Sequence, residues 1–208
     1  PYLEKLFKRL SILENAGIRK FFSGPESFTP DTQYLLGETP EVDNLFTCCC
    51  FNSIGIASSG GAGRVTAEWM INGYMNEDLF SLDIKRFQKF HSSKKFIMSR
   101  VTETLGDLYG MHWPYKQHKT SRDQKLLPYH NELKKAGACF GQSGEYERPM
   151  WYALDDINPE YKYSFNYQNW YPSTEYESKN TIKNVGLFEL SPFSKYEIKG
   201  DKAHEELQ

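Results

Sequence analysis

No stretch of this 208-residue chain comes near the roughly 20 consecutive apolar residues that a helical membrane span requires. No charged segment followed by an apolar one opens it, so no targeting signal is visible. Charge of one sign is missing too: 25 basic and 27 acidic side chains are interspersed, which leaves no basic face for nucleic acid. There is no internal repeat and no low-complexity tract. Cysteine is scarce. Cys48, Cys49 and Cys50 are contiguous, so along a strand their side chains alternate between faces and cannot chelate one ion, and Cys139 is remote in sequence. No metal site and no disulfide framework are expected, and the four thiols read as small buried hydrophobes. A dinucleotide fingerprint G-x-G-x-x-G is absent as well. Gly61-Ala62-Gly63-Arg64-Val65-Thr66 lacks the third glycine and falls in a helical pattern.

What is present is a strand, a glycine-rich turn and a helix in succession. Leu45 to Phe51 is a short continuous apolar run, the pattern of a strand buried on both faces. Asn52 to Gly63 is built of small residues that let the backbone approach another body closely, and the following helix should end near Gly73. Upstream, apolar spacing at Leu3, Leu6, Phe7, Leu10 and Leu13 predicts a helix over 1–16 closed by Gly17, then a strand over Ile18 to Ser23. Thr29-Pro30-Asp31 is forced into a loop suited to delivering side chains to a pocket. Downstream, Ser92 or Ser93 should cap a helix whose stripe Ile97, Val101, Leu105, Leu108 and Tyr109 reads as core. A further helix over Pro128 to Ala136 should stop at Gly137 before a strand at Ala138 to Phe140. The aromatics Trp151, Tyr152, Tyr161, Tyr163, Phe165, Tyr167, Trp170 and Tyr171 read as packing between neighbours. Ala203 to Leu207 resembles a helix beginning, and the pattern at both ends predicts a fragment. Arg64 should lie along the helix facing solvent, and neither His112 nor His118 has a helical partner or sequence-adjacent carboxylate that suggests zinc.

Several of these segments together resemble the sarcosine and dimethylglycine dehydrogenase family of flavoproteins. They are Gly24-Pro25-Glu26-Ser27-Phe28-Thr29-Pro30-Asp31, Leu35-Leu36-Gly37-Glu38, Cys50-Phe51-Asn52-Ser53-Ile54-Gly55-Ile56 and Leu82-Asp83-Ile84-Lys85-Arg86-Phe87. The likeness continues through Met111-His112-Trp113-Pro114, Ala136-Gly137-Ala138-Cys139-Phe140-Gly141, Glu147-Arg148-Pro149-Met150-Trp151 and Val185 to Gly200. The resemblance implies a mixed α/β chain of class α+β: residues 1–88 as the C-terminal part of the FAD-dependent oxidoreductase domain, 89–158 as its central domain, and 159–208 as the start of an aminomethyltransferase-like, folate-binding domain.

By the same resemblance, Asn52, Ser53, Ile54, Gly55 and Ile56 form the turn that passes the N1 and C2-carbonyl end of FAD, with Gly55 singled out and the helix from about Ala57 aimed at the ring. The implied reaction is oxidative demethylation of sarcosine or dimethylglycine, with hydride passing to the flavin and the one-carbon unit released as formaldehyde or captured by tetrahydrofolate. Electrons would go to an electron-transfer flavoprotein or to oxygen. The implied compartment is bacterial cytoplasm or mitochondrial matrix. A lysine that pairs with the substrate carboxylate in related amine oxidases is replaced here by Ile56 and Ala57. The histidine that carries covalent flavin in such enzymes would lie upstream, so no catalytic residue is assigned and the chain alone is expected neither to hold flavin tightly nor to turn over. The alternative is a non-catalytic relative like the pyruvate dehydrogenase phosphatase regulatory subunit. A free-standing aminomethyltransferase is disfavoured, because only the closing segment resembles one.

Overall fold

The computed structural model describes residues 2–207. Helix α1 (Tyr2–Arg9) buries no residue, and a 3-10 turn over Ser11–Asn15 replaces the rest of the expected 1–16 helix, whose Pro1 lies outside the described residues. A helix this short gains little from its own hydrogen bonds and needs a packed face to persist, which α1 lacks. No strand forms over 18–23. Ile18, Phe21 and Phe22 are exposed there and no neighbouring strand supplies partners.

Strands β1 (Leu35–Glu38) and β2 (Phe46–Cys49) pair antiparallel, Leu36 opposite Cys48 and Gly37 opposite Thr47. Helix α2 (Gly55–Asn72) lies against them through Ala62, Val65 and Trp69, spaced three and four apart on one face. Gly37 is what admits it. A Cβ there would enter the Trp69 ring, and the glycine's φ of +101° disfavours any other residue. The helix stops at Gly73, whose left-handed φ of +78° lets its N–H reach Trp69 O at 2.8 Å. The expectation that β2 is buried on both faces fails. Its ladder has only β1 as a partner, so Cys48 and Cys49 are exposed and Cys50 half-buried, while Cys139 is the one buried thiol among the described cysteines.

Segment 82–83 runs beside β1, with Leu36 N–H donating to Leu82 O at 2.9 Å, and leads through 3-10 turns at Ile84–Arg86 and Lys89–Ser92 into helix α3 (Lys94–Leu108). Ser93 caps α3 by accepting the Phe96 N–H at 3.2 Å. Its buried face is not the apolar stripe. Phe96, Arg100 and Thr104 are buried, whereas Ile97, Leu108 and Tyr109 are exposed. Arg100 wins the inward position because its guanidinium finds acceptors there, Thr120 O at 2.7 Å and Gln142 Oε1 at 2.8 Å.

The second sheet has the order β3-β5-β4. Strand β3 (Lys125–Leu126) runs parallel to β5, helix α4 (His130–Lys135) follows, and β4 (Ala138–Ser143) and β5 (Tyr146–Tyr152) form an antiparallel hairpin. Gly137, with φ +84°, makes the bend between α4 and β4. Helix α5 (Tyr171–Lys183) is tied to β5 by the Tyr152 N–H to Glu177 Oε1 bond at 2.7 Å. At the far end only a 3-10 turn, Glu205–Leu207, forms where a helix start was expected.

Candidate functional site

The sequence-singled turn between β2 and α2 is pinned from beneath by one amide. Asn52 is 2 % exposed and Thr29, on the Gly24–Asp31 loop, is 3 % exposed. Thr29 N–H donates to Asn52 Oδ1 at 2.8 Å, and Asn52 Nδ2 donates to Cys50 O at 2.7 Å and to Thr29 Oγ1 at 3.2 Å. The backbone adds Asn52 N–H to Ser27 O at 3.3 Å. Cys50, Asn52 and Ser53 all lie in the left-handed region, at φ +56°, +49° and +67°. Asparagine tolerates that conformation and the other two pay about 1 kcal/mol each for it. Three such residues in four fold the chain back sharply, so that α2 begins at Gly55 directly above the pinned amide.

The five sequence-predicted residues therefore come together in one turn. Asn52 is the buried anchor. Ser53, Ile54 and Ile56 are exposed, and Gly55 is the first helical residue, where an added Cβ would meet Phe51 Cβ at 3.3 Å. Ile54 occupies the N-cap position and makes no side-chain capping bond. The first turn of an 18-residue helix thus presents backbone N–H groups and the positive end of its dipole with no side-chain oxygen to satisfy them.

Beside this turn opens a cavity of about 790 Å³, walled by Phe28, Thr29, Pro30, Cys50 and Phe87, with Gln88 and Lys89 among its polar residues. The loop Thr29-Pro30-Asp31 does reach a pocket, as expected. Asp31 is held by Arg86, whose Nε and Nη2 stand 2.7 and 3.1 Å from its two carboxylate oxygens, and Arg86 also donates to Gln33 O at 2.8 Å and Leu82 O at 2.9 Å. His91, buried at the cavity edge, accepts the Gln88 N–H on Nδ1 at 2.9 Å. Its Nε2 faces Glu145 Oε1 at 3.6 Å. That ring, with Arg100, holds the Glu145 carboxyl below the usual carboxylate range against the opposing effect of burial.

Two charged clusters lie beyond the turn, and sequence spacing missed both. Glu103, Asp107 and His118 bring their ligand atoms within 4.8 Å of one another, so carboxylates do neighbour His118 once α3 meets the 116–120 loop. The two carboxylates are engaged: Lys116 binds Asp107, and Glu103 accepts Lys119 N–H at 2.7 Å and Thr120 N–H at 2.9 Å. Burial, then Arg100, pushes the His118 imidazole below its ordinary value. Glu147, 1 % exposed, binds Arg122 through both oxygens and accepts Asp123 N–H at 3.0 Å. Arg64, the cation on α2, pairs with Glu68 at 3.1 Å and Glu77 at 2.7 Å on the surface. Nothing local would have flagged Glu147, which stands between Tyr146 and Arg148 in a segment that reads as charged; its burial comes from pairing with the distant Arg122.

Residues 72–126 match the family model of the FAD dependent oxidoreductase central domain, and residues 129–208 match that of the GCVT N-terminal domain. The chain is 41 % identical over 196 residues to a 4-methylaminobutanoate oxidase (formaldehyde-forming) of Paenarthrobacter nicotinovorans, covering 94 % of this chain and 24 % of that protein. It is 35 % identical over 152 residues to mouse mitochondrial sarcosine dehydrogenase, 73 % of this chain and 16 % of that one. It is 34 % identical over 213 residues to the mouse mitochondrial pyruvate dehydrogenase phosphatase regulatory subunit, 100 % of this chain and 24 % of that one. The chain spans about a quarter or less of the length of these relatives.

Proposed function

The chain belongs to the sarcosine and dimethylglycine dehydrogenase family of FAD-dependent oxidoreductases, and from that premise we propose that the turn Asn52–Ile56 and the start of α2 face the pyrimidine end of the flavin in an enzyme that demethylates an N-methylated glycine. When bound, the flavin accepts the hydride and gathers negative charge at its N1 and C2-carbonyl end. The uncapped first turn of α2 carries this reading. Unpaired backbone N–H groups and a helix dipole stabilise such charge without a side chain, and they are already oriented before it develops.

The remaining residues act in support. Asn52 fixes the turn to Thr29, so the direction of α2 follows the Gly24–Asp31 loop, and Arg86 fixes that loop through Asp31. The cavity shared by the loop and the 3-10 turn Lys89–Ser92 lies next to the turn, in reach of a small substrate on the same side. The order proposed along the chain is the end of the flavin domain, the central domain and the opening of the folate-binding domain, the last two being the segments similar to their family models over 72–126 and 129–208 and so beginning earlier than the expected 89 and 159. Tetrahydrofolate, the acceptor of the one-carbon unit, is then held mainly by residues outside this chain. The 34 % identity to a phosphatase regulatory subunit favours one second reading, a non-catalytic member of the same family; it predicts no demethylation of sarcosine or dimethylglycine by the full gene product.

Ile54→Asp tests the site with opposite signs in two assays. A carboxylate at the N-cap satisfies the open N–H groups, so this chain gains about 1 kcal/mol of stability. The same carboxylate occupies and repels from the place proposed for the flavin, so the full gene product loses bound flavin and its visible absorbance. Full flavin content with an unchanged spectrum would remove the turn from the cofactor site.

A further inference from the structure

A second pocket, remote in sequence from the β2–α2 turn, has five aromatic rings in its wall, completed by Pro114, Asn166, Gln168 and Thr174. It encloses about 380 Å³ between the Trp113–Tyr115 loop and the start of α5, and Tyr115, Phe165, Tyr167, Trp170 and Tyr171 line it. None of its lining residues is charged. The rings are not parallel: Tyr115 stands at 83° to Trp170 with centroids 6.3 Å apart, and Tyr167 is tilted 45° to Tyr171 at 4.6 Å. Trp113, outside the lining, packs on the lining ring of Phe165 at 4.7 Å. Behind the wall, Trp170 stacks toward the fully buried Trp151 at 6.4 Å and meets Tyr161 edge-on at 5.1 Å, so its ring is held from the rear. The Gln117 N–H bond to Tyr163 Oη at 2.9 Å fastens the loop to this cluster.

Tyr115 lies at φ +60°, a conformation that a bulky aromatic rarely adopts. Its ring is nonetheless 75 % exposed, so burial of that ring does not account for the strained backbone. The conformation turns the ring across Trp170. The neighbouring cation, Lys116, is bound to Asp107.

We propose that this pocket binds an N-methylated ammonium ion, held by cation–π contact on several rings at once. Rings set at steep angles make a corner that suits a compact, roughly spherical cation, whereas a planar heterocycle needs parallel faces to stack between. No charged side chain lines the pocket, so no fixed cation competes there; Asn166, Gln168 and Thr174 are polar but neutral, and the ring faces supply the attraction for a cation. The proposal is independent of the flavin-facing turn, and either can fail without the other.

The test is an NMR titration of the chain with choline, following the indole N–H signals of Trp113 and Trp170 at constant ionic strength, with its neutral isostere 3,3-dimethyl-1-butanol as the comparison. Choline is expected to give saturable shifts confined to those two indoles and to bind at least about fivefold more tightly than the alcohol. Tyr115→Leu keeps bulk but removes a π face and weakens choline about fivefold, while Tyr115→Phe leaves binding within twofold. Tyr167→Leu repeats the test should the Tyr115 variants not fold. Equal binding of the alcohol, no saturation with choline, or preferential binding of a planar heterocycle such as adenosine or of a sugar such as glucose would overturn the proposal.

Discussion

Replacing Asn52 separates the two things its side chain does. Asn52→Ala removes the amide that accepts Thr29 N–H and donates to Cys50 O, leaving the buried Thr29 N–H and the half-buried Cys50 carbonyl without those partners. At about 1 kcal/mol for each net hydrogen bond, this costs roughly 2 kcal/mol. Alanine at φ +49° adds about 1 kcal/mol of left-handed strain, for a total near 3 kcal/mol. Asn52→Gly loses the same bonds but sheds the strain, and after roughly 0.5 kcal/mol for the extra entropy of a glycine it should be less damaging than alanine by about 0.5 kcal/mol. Urea unfolding followed by tryptophan fluorescence is a suitable assay, because Trp69 sits in the core that α2 builds on β1. With a slope of about 2 kcal/mol per molar urea, Asn52→Ala lowers the midpoint by about 1.5 M and Asn52→Gly by rather less. An alanine variant with an unaltered midpoint would refute the anchoring role, and a glycine variant as weak as alanine would refute the strain argument.

Gly37→Ala forces a methyl group into the Trp69 ring at a left-handed φ, and should destabilise the chain by about 2–4 kcal/mol in a thermal melt, whereas Gly63→Ala, which meets open space on the exposed face of α2, should raise stability by about 0.5–1 kcal/mol. Acid should unfold the chain in two stages. His118 is held below its ordinary 6.5, burial being the main cause, so its neutral form stabilises the fold above 6.5 and that contribution is lost as pH falls through its lower folded value. Glu145 is held below 4.5 chiefly by His91; Glu103 and Glu147 are too, where hydrogen bonds from Thr120 and Arg122 outweigh the upward push of burial. Their stabilisation is complete above 4.5 and fades below it, so Glu147→Gln should flatten the acid limb of a stability-versus-pH curve while lowering the plateau by about 2–3 kcal/mol, because the half-buried Arg122 loses its counter-charge.

Helix ends were legible in the sequence where a local residue dictates them. Ser93 caps α3, Gly73 ends α2 and Gly137 turns α4 into β4, each through its own backbone or side chain within four residues. Burial was less legible because it depends on distant partners. The run Leu45 to Phe51 has the composition of a central strand, but only β1 pairs with it, and two of its three cysteines are exposed. On α3 the apolar stripe lost the inward face to Arg100 and Thr104, because carbonyls of the 120–121 loop and the Gln142 amide lie on that side. The motifs that carry the family resemblance prove in part to be long-range joints. Asp31 of one meets Arg86 of another across 55 residues, and Glu147 of a third meets Arg122. A single sequence shows that such charged residues exist and not whom they meet. For the candidate site, the turn and its helix were readable, while the commitment of Asn52 to Thr29 required the fold.

The most direct test of the proposal that the turn Asn52–Ile56 faces the flavin is amide hydrogen exchange on the full gene product with and without bound FAD. Peptides spanning residues 52–58 should exchange markedly more slowly when flavin is bound, while those over the exposed Ile18–Ser23 segment stay unchanged. Stoichiometric flavin binding with no added protection over 52–58 would contradict the account.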